Sequence, residues 1–169
     1  MKATGVVRRI DELGRIVIPK EIRNNLSIKQ GENLEIFIND DSIFLKKYST
    51  LNKYNEIANI ITKVLSQFLN KEVLVTDMNN VISCNCKDII NKELSASFIK
   101  QIDKRIKQAG NNIIITSNMI NKYYIISPII LNGDLLGSLV LLSDTNIKQE
   151  EEQLFDYTLK FFLEFIEQK

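Results

Sequence analysis

Histidine is absent from this 169-residue chain, and cysteine occurs only twice, at Cys84 and Cys86. Without imidazole, the usual neutral-pH general acid–base side chain is missing, and so is any Ser-His-Asp arrangement. Two cysteines and no histidine cannot complete a standard zinc site within one chain. No apolar run reaches membrane-spanning length, and the N-terminus has no signal-peptide pattern. There is no Gly-rich phosphate loop, no nucleophile elbow and no carboxylate pair in a recognisable frame. These absences argue against an enzyme, a catalytic residue, a resident metal or cofactor, and a membrane partner. The expected location is the cytoplasm, where Cys84 and Cys86 are expected to be thiols. A redox or metal role shared between subunits is the other reading of that pair.

Arginine is scarce as well, and its distribution is informative. Four of the five arginines, Arg8, Arg9, Arg15 and Arg23, lie in the first 23 residues, while residues 24–169 hold 15 lysines and only Arg105. Lysine is therefore the ordinary surface cation of this chain. A position that uses arginine instead calls for the planar, multi-donor guanidinium, which suits phosphates and guanine edges. Net charge is +1 overall, yet residues 1–29 carry seven Lys/Arg against Asp11, Glu12 and Glu21. A basic end beside a near-neutral body implies an anionic partner at that end.

The N-terminal stretch divides into short elements. Residues 5–10 read as a strand, Asp11-Glu12-Leu13-Gly14 as a turn and Arg15–Ile18 as a second strand. Pro19 suits the first turn of a short helix that ends at Leu26. Gln30-Gly31 is a further turn. Residues 34–38 and 42–47 form a hairpin about Asn39-Asp40-Asp41. A unit of about 48 residues with few large apolar groups cannot bury enough surface alone, and oligomerisation is the common remedy. The expected domains are 1–48, a linker at 49–53, and 54–169.

In the remainder, Tyr54, Ile57, Ile61, Val64 and Phe68 mark a helix with one apolar stripe, with Ala58 and Leu65 beside it. A hairpin is expected over 73–77 and 81–84. A helix over 94–109 would carry Phe98, Ile102 and Ile106 and end at Gly110. A short strand follows at 113–116. Asn132-Gly133 is the strongest hairpin signal, joining strands 123–131 and 135–142. A last helix beginning near Asn146 would bury Leu154, Phe155, Leu159, Phe162 and Ile166. The order helix, hairpin, helix, three strands, helix implies an antiparallel sheet flanked by helices, in an α/β domain.

Residues 2–23, and especially Asp11-Glu12-Leu13-Gly14-Arg15 and Ile16-Val17-Ile18-Pro19, resemble the AbrB-type swapped-hairpin DNA-binding family. The likeness runs through Lys46-Lys47-Tyr48. Ser127-Pro128-Ile129 and Gly133–Leu139 resemble the closing hairpin of a GAF domain. The combination is similar to the stage V sporulation protein T family. That resemblance implies an N-terminal β-barrel dimer of interleaved hairpins with a short helix, and a C-terminal GAF domain. It implies regulation of late, forespore-stage genes, as activator and repressor, by a nucleoid-associated tetramer linked through GAF helices.

The implied partner is double-stranded DNA at AT-rich promoters. Arg8, Arg15 and Arg23 match the family's DNA-contacting positions. Arg9 and Lys20 offset the cation missing at Asn24, where family members often carry a basic residue. Asp11 and Glu12 either orient these arginines or are solvated turn acids. The GAF domain is read as the sensor of a small-molecule effector, or else as a plain dimerisation module. An antitoxin with the same hairpin is the alternative function.

Overall fold

A computed structural model describes residues 5–26, 28, 30, 31, 33–86 and 89–168. The chain divides into two compact units, Met1–Tyr48 and Ser49–Lys169.

In the first unit the turn forms as expected: Gly14 has φ +75, and its N–H donates to the Asp11 carbonyl at 2.9 Å. Pro19 caps helix α1 (Lys20–Asn25), and Leu26 closes it. Strands β1 (Leu34–Asn39) and β2 (Ser42–Lys47) pair antiparallel, with Asn39 opposite Ser42. Residues 5–10 and 15–18, expected as strands, carry no ladder. A strand is assigned by its ladder, and among the described residues the β1–β2 hairpin is the only ladder of this unit. The same shortage shows in burial: none of the described residues in 5–48 is buried. Val7 is 87% exposed, and Ile10, Leu13, Ile38 and Ile43 are also open.

The second unit begins earlier than expected. Residues 50–54, most of the expected linker, form a 3-10 helix, Thr50–Tyr54, because Leu51 is drawn fully into the core. Helix α2 (Asn55–Leu69) leads to β3 (Glu72–Thr76) and β4 (Val81–Cys84), then α3 (Ala96–Ile102). Strands β5 (Gln108–Ile114), β6 (Met119–Leu131) and β7 (Asp134–Ser143) precede α4 (Gln149–Glu167). The sheet is antiparallel throughout, in the order β4-β3-β7-β6-β5.

Alternation along the central strands sends side chains to two covered faces. Val73, Val75, Leu139 and Leu141 meet Ala58, Ile61 and Leu65 of α2 and Phe155, Phe162 and Ile166 of α4. Leu74, Val140 and Leu142 meet Phe98 and Ile102 of α3, with Leu94 and Ile126. Both faces are dry, so β3 and β7 read as nearly unbroken apolar runs. The β6–β7 hairpin turns on Asn132 (φ 51) and Gly133 (φ +85), both in the left-handed region that the asparagine–glycine pair supplies.

Several expectations are corrected. Helix α3 stops at Ile102 instead of 109. Arg105 takes φ 57, and the chain returns as β5, where Gln108 pairs with Ile126. Long-range pairing with β6 outweighs the local helical spacing, and Ile106 is left exposed. Gly110 is not a helix stop; it makes room for Tyr124, whose Oη would lie 2.9 Å from a Cβ there. On α2 the buried face is Ala58, Ile61, Thr62, Leu65 and Ser66, so the expected stripe is rotated. Ser83 donates to Thr62 at 2.9 Å, and this small polar pair lets α2 approach β4 while Val64 and Phe68 turn outward. The last helix is capped at Lys148, not near Asn146: the Lys148 N–H donates to the Glu151 carboxylate at 2.9 Å. Where thiols are expected, Cys84 and Cys86 form a disulfide, their Cα atoms brought to 5.2 Å at the end of β4.

Gly137 and Gly133 separate two uses of glycine. A Cβ on Gly137 would overlap the Thr76 carbonyl and come within 2.8 Å of Asp77 Cα. At Gly133 nothing lies within 4 Å, and only the positive φ matters. Gly137→Ala should therefore cost about 3 kcal/mol or more, against roughly 1 kcal/mol for Gly133→Ala. Chemical denaturation measures both; an equal or smaller loss at Gly137 would contradict the close approach of β7 to β3.

Candidate nucleic-acid interface

The site is built around one turn. The Asp11 side chain closes it from within: Oδ1 accepts from the Leu13 N–H at 3.0 Å and the Arg15 N–H at 2.8 Å. Its second oxygen, Oδ2, accepts from Arg15 Nε at 2.7 Å. One carboxylate thus fixes both the backbone of the turn and the direction of a guanidinium. The contact uses Nε, with the two terminal nitrogens lying beyond it, and the Arg15 side chain is 69% exposed. A guanidinium held at its base and open at its fork is suited to bidentate recognition of an anion.

Of the two readings of the turn acids, Asp11 takes the orienting one. The Arg15 backbone N–H is the main cause that holds the Asp11 carboxyl below the usual aspartate range, with the Arg15 side chain second.

The other sequence-predicted cations are distributed around this turn. Arg8 and Arg9 lie on the extended segment before it and are exposed. Lys20 opens α1 and is exposed. Arg23 stands in the last turn of α1 and differs from the rest: it is half-buried, and its Nε is enclosed without a hydrogen-bond partner among the described residues. Within one chain no hydrogen bond joins these five cations to each other among the described residues; only Arg15 is fixed by a neighbour, Asp11. The sequence signal for Asp11 was its place within Asp-Glu-Leu-Gly-Arg, four residues before the arginine it holds.

The second unit offers a different surface. Ile60, Val64 and Phe68 on α2 are exposed, Phe68 by 80%, as are Tyr157 and Phe161 on α4. Helices α2 and α4 lie side by side on one face of the sheet. The stripe that holds Val64 and Phe68 reads from spacing either as core or as a seam with a second subunit, because a helix with apolar residues on most of its circumference does not say which stripe the sheet selects.

Comparison with known proteins follows the same division. Residues 53–163 match the family described as stage V sporulation protein T C-terminal, transcription factor. Residues 7–52 match the family described as antidote-toxin recognition MazE, bacterial antitoxin. Across 96% of its length the chain is 37% identical to stage V sporulation protein T of Bacillus subtilis (strain 168), covering 97% of that protein. Over 48 residues, 28% of this chain, it is 56% identical to the transition state regulatory protein AbrB of the same organism, covering 50% of it. The GAF domain of PixJ from Thermosynechococcus elongatus superposes with a TM-score of 0.56 at 11% identity, covering 72% of this chain and 89% of that one. That likeness is one of fold.

Titration of Asp11 tests the turn. A depressed native pKa means that the turn's extra stability is fully present above the unfolded-state value, about 3.9. It is lost only as pH falls through the lower native value. Carboxyl chemical shifts should therefore place Asp11 below ordinary aspartates. In Arg15→Ala the backbone donor remains and the side-chain donor is gone, so the value should rise part of the way. A variant that titrates like the wild type would show that the guanidinium does not rest on Asp11.

Proposed function

The chain belongs to the stage V sporulation protein T family, and from that premise we propose that it regulates sporulation genes by gripping duplex DNA with an N-terminal unit completed by two copies. The observation that carries this reading is a unit whose arginines cluster at residues 8–23 and whose described residues form no buried core. Val7, Ile10, Leu13, Ile16, Ile38 and Ile43 stand open in the single chain. Each apolar side chain of that size gains about 1.5–3 kcal/mol on full burial. Interleaving with a second copy supplies that burial and pairs residues 5–10 and 15–18 as strands.

Two-fold pairing presents Arg8, Arg15 and Arg23 twice, with Arg9 and Lys20 beside them. Phosphate contacts supply affinity, while guanine edges and groove shape supply selectivity at AT-rich promoters. The second unit joins pairs into a tetramer through the open faces of α2 and α4. Its role as the sensor of a small effector rests on the likeness to GAF domains, which is one of fold. The setting is the cytoplasm, on the nucleoid of the forespore. No helix among the described residues is long and apolar enough to cross a membrane.

The antitoxin reading draws on the match at residues 7–52. Against it stands the second unit, whose apolar residues are folded into a two-faced core instead of a disordered toxin-binding tail.

Two experiments test the proposal. In gel-shift titrations on AT-rich promoter DNA at several salt concentrations, Arg15→Ala should weaken binding and flatten the salt dependence. The slope should drop by about 0.9 for each phosphate no longer neutralised, so roughly 2 per dimer. Unchanged slopes would mean that Arg15 touches no phosphate, and a folded wild type that failed to shift DNA would end the regulator reading. Separately, Phe68→Glu with Phe161→Glu should reduce a tetramer to a dimer in sedimentation while DNA binding by the dimer persists. A tetramer of unaltered mass would place the second interface elsewhere.

A further inference from the structure

Cys84 and Cys86 take no part in the DNA-binding account, yet their surroundings are specific. Cys84 ends β4 and Cys86 lies two residues on, in the bend that follows, and both border one apolar cluster. Cys84 is 9% exposed and packs with Leu74, Val81, Leu94 and Phe98, while Cys86 lies at the edge of that cluster and is more open. The Cα separation of 5.2 Å falls within the range a disulfide spans. The Cys86 N–H also donates to Cys84 Sγ at 2.9 Å.

The residue between the two cysteines is anchored to the neighbouring strand. Asn85 Oδ1 accepts from the Val73 N–H at 2.8 Å, and its Nδ2 donates to the Lys71 carbonyl at 3.2 Å. The Asn85 N–H reaches the Val73 carbonyl at 3.4 Å as well. These contacts pin the bend after β4 to the start of β3 and do not involve sulfur, so they persist when the cysteines are reduced. Cys86 is only partly buried, at the end of an edge strand, so a small solute can reach it.

We propose that Cys84 and Cys86 form a reversible dithiol–disulfide pair that exchanges with a low-molecular-weight disulfide, with Asn85 preorganising its closure. The Cys86 thiolate, the more accessible, attacks one sulfur of the disulfide RSSR. A bond forms between Cys86 Sγ and that sulfur, and RS⁻ leaves and takes up the proton released by Cys86. The Cys84 thiolate then attacks Cys86 Sγ and expels the second RS⁻, which takes up the proton from Cys84. Two electrons pass from the protein to RSSR, giving one protein disulfide and two RSH. The attacking sulfur of the second step is already in place, so the mixed disulfide is short-lived.

The test uses the full chain with oxidised and reduced glutathione. Reduced protein is equilibrated in glutathione buffers of rising oxidising strength, acid-quenched, alkylated and read by mass spectrometry. The expected product is a chain lighter by two hydrogens, with neither cysteine alkylated, restored by dithiothreitol. In Cys84→Ser a glutathione adduct should persist on Cys86. In Asn85→Ala the adduct should resolve on the order of tenfold more slowly than in the wild type. Two free thiols across the whole buffer series, a stable adduct in the wild type, or a disulfide linking two chains would overturn the proposal. Closure in Asn85→Ala as fast as in the wild type would overturn the part given to Asn85.

Discussion

The requirement that apolar surface be buried governs the N-terminal unit, and the described residues of a single chain leave it unmet there. Residues 5–48 supply a turn, a short helix and one hairpin, and among their described members nothing is buried. Helix α1 has six residues, too short to persist on propensity alone. A lone two-stranded hairpin is marginal in water. Local chemistry nevertheless fixes the parts: Asp11 closes its turn, Pro19 opens α1, and Gly14 and Gly31 take positive φ where the chain reverses. Everything is shaped in advance except the core, and on the proposed reading a second copy provides it. The same pairing doubles the arginines, so on this account fold and function arise from one event.

The second unit obeys the opposite regime. Its sheet is covered on both faces, and it closes its own core with Phe155 and Phe162 on one side and Phe98 on the other. Ion pairs tie the periphery: Lys107 to Glu152 and Asp156, Lys122 to Glu72, and Lys71 to Glu151. Having satisfied itself, this unit still leaves Ile60, Val64, Phe68, Tyr157 and Phe161 in the open. A self-sufficient domain with an uncovered apolar face differs from a unit whose described residues form no core. The first is suited to adjustable association, the second to obligatory association.

Legibility in the sequence followed the range of the deciding interaction. The Asn132-Gly133 hairpin, the β3–β4 hairpin and the Asp11–Gly14 turn are set by residues within a few positions of each other, and they could be read directly. The extent of α3 could not, because Gln108 and Ala109 are claimed by pairing with Ile126 and Ile125 of β6, beyond the reach of local helical spacing. The face that α2 buries depends on the Thr62–Ser83 contact with β4, so the more hydrophobic stripe gave way to the smaller one. Leu51 looked like linker until a core was available to receive it. The arginine bias marked the candidate contact residues. The half-buried setting of Arg23 and the grip of Asp11 on Arg15 Nε needed coordinates.

The most direct test of the central claim mixes isotopically labelled and unlabelled full-length chains, refolds them together and records isotope-filtered NOEs. Interleaving predicts contacts from the methyl groups of Ile10 and Ile16 in one copy to those of Ile36 and Ile43 in its partner. Their absence in a folded, DNA-binding sample, with all such contacts arising within one chain, would contradict the account.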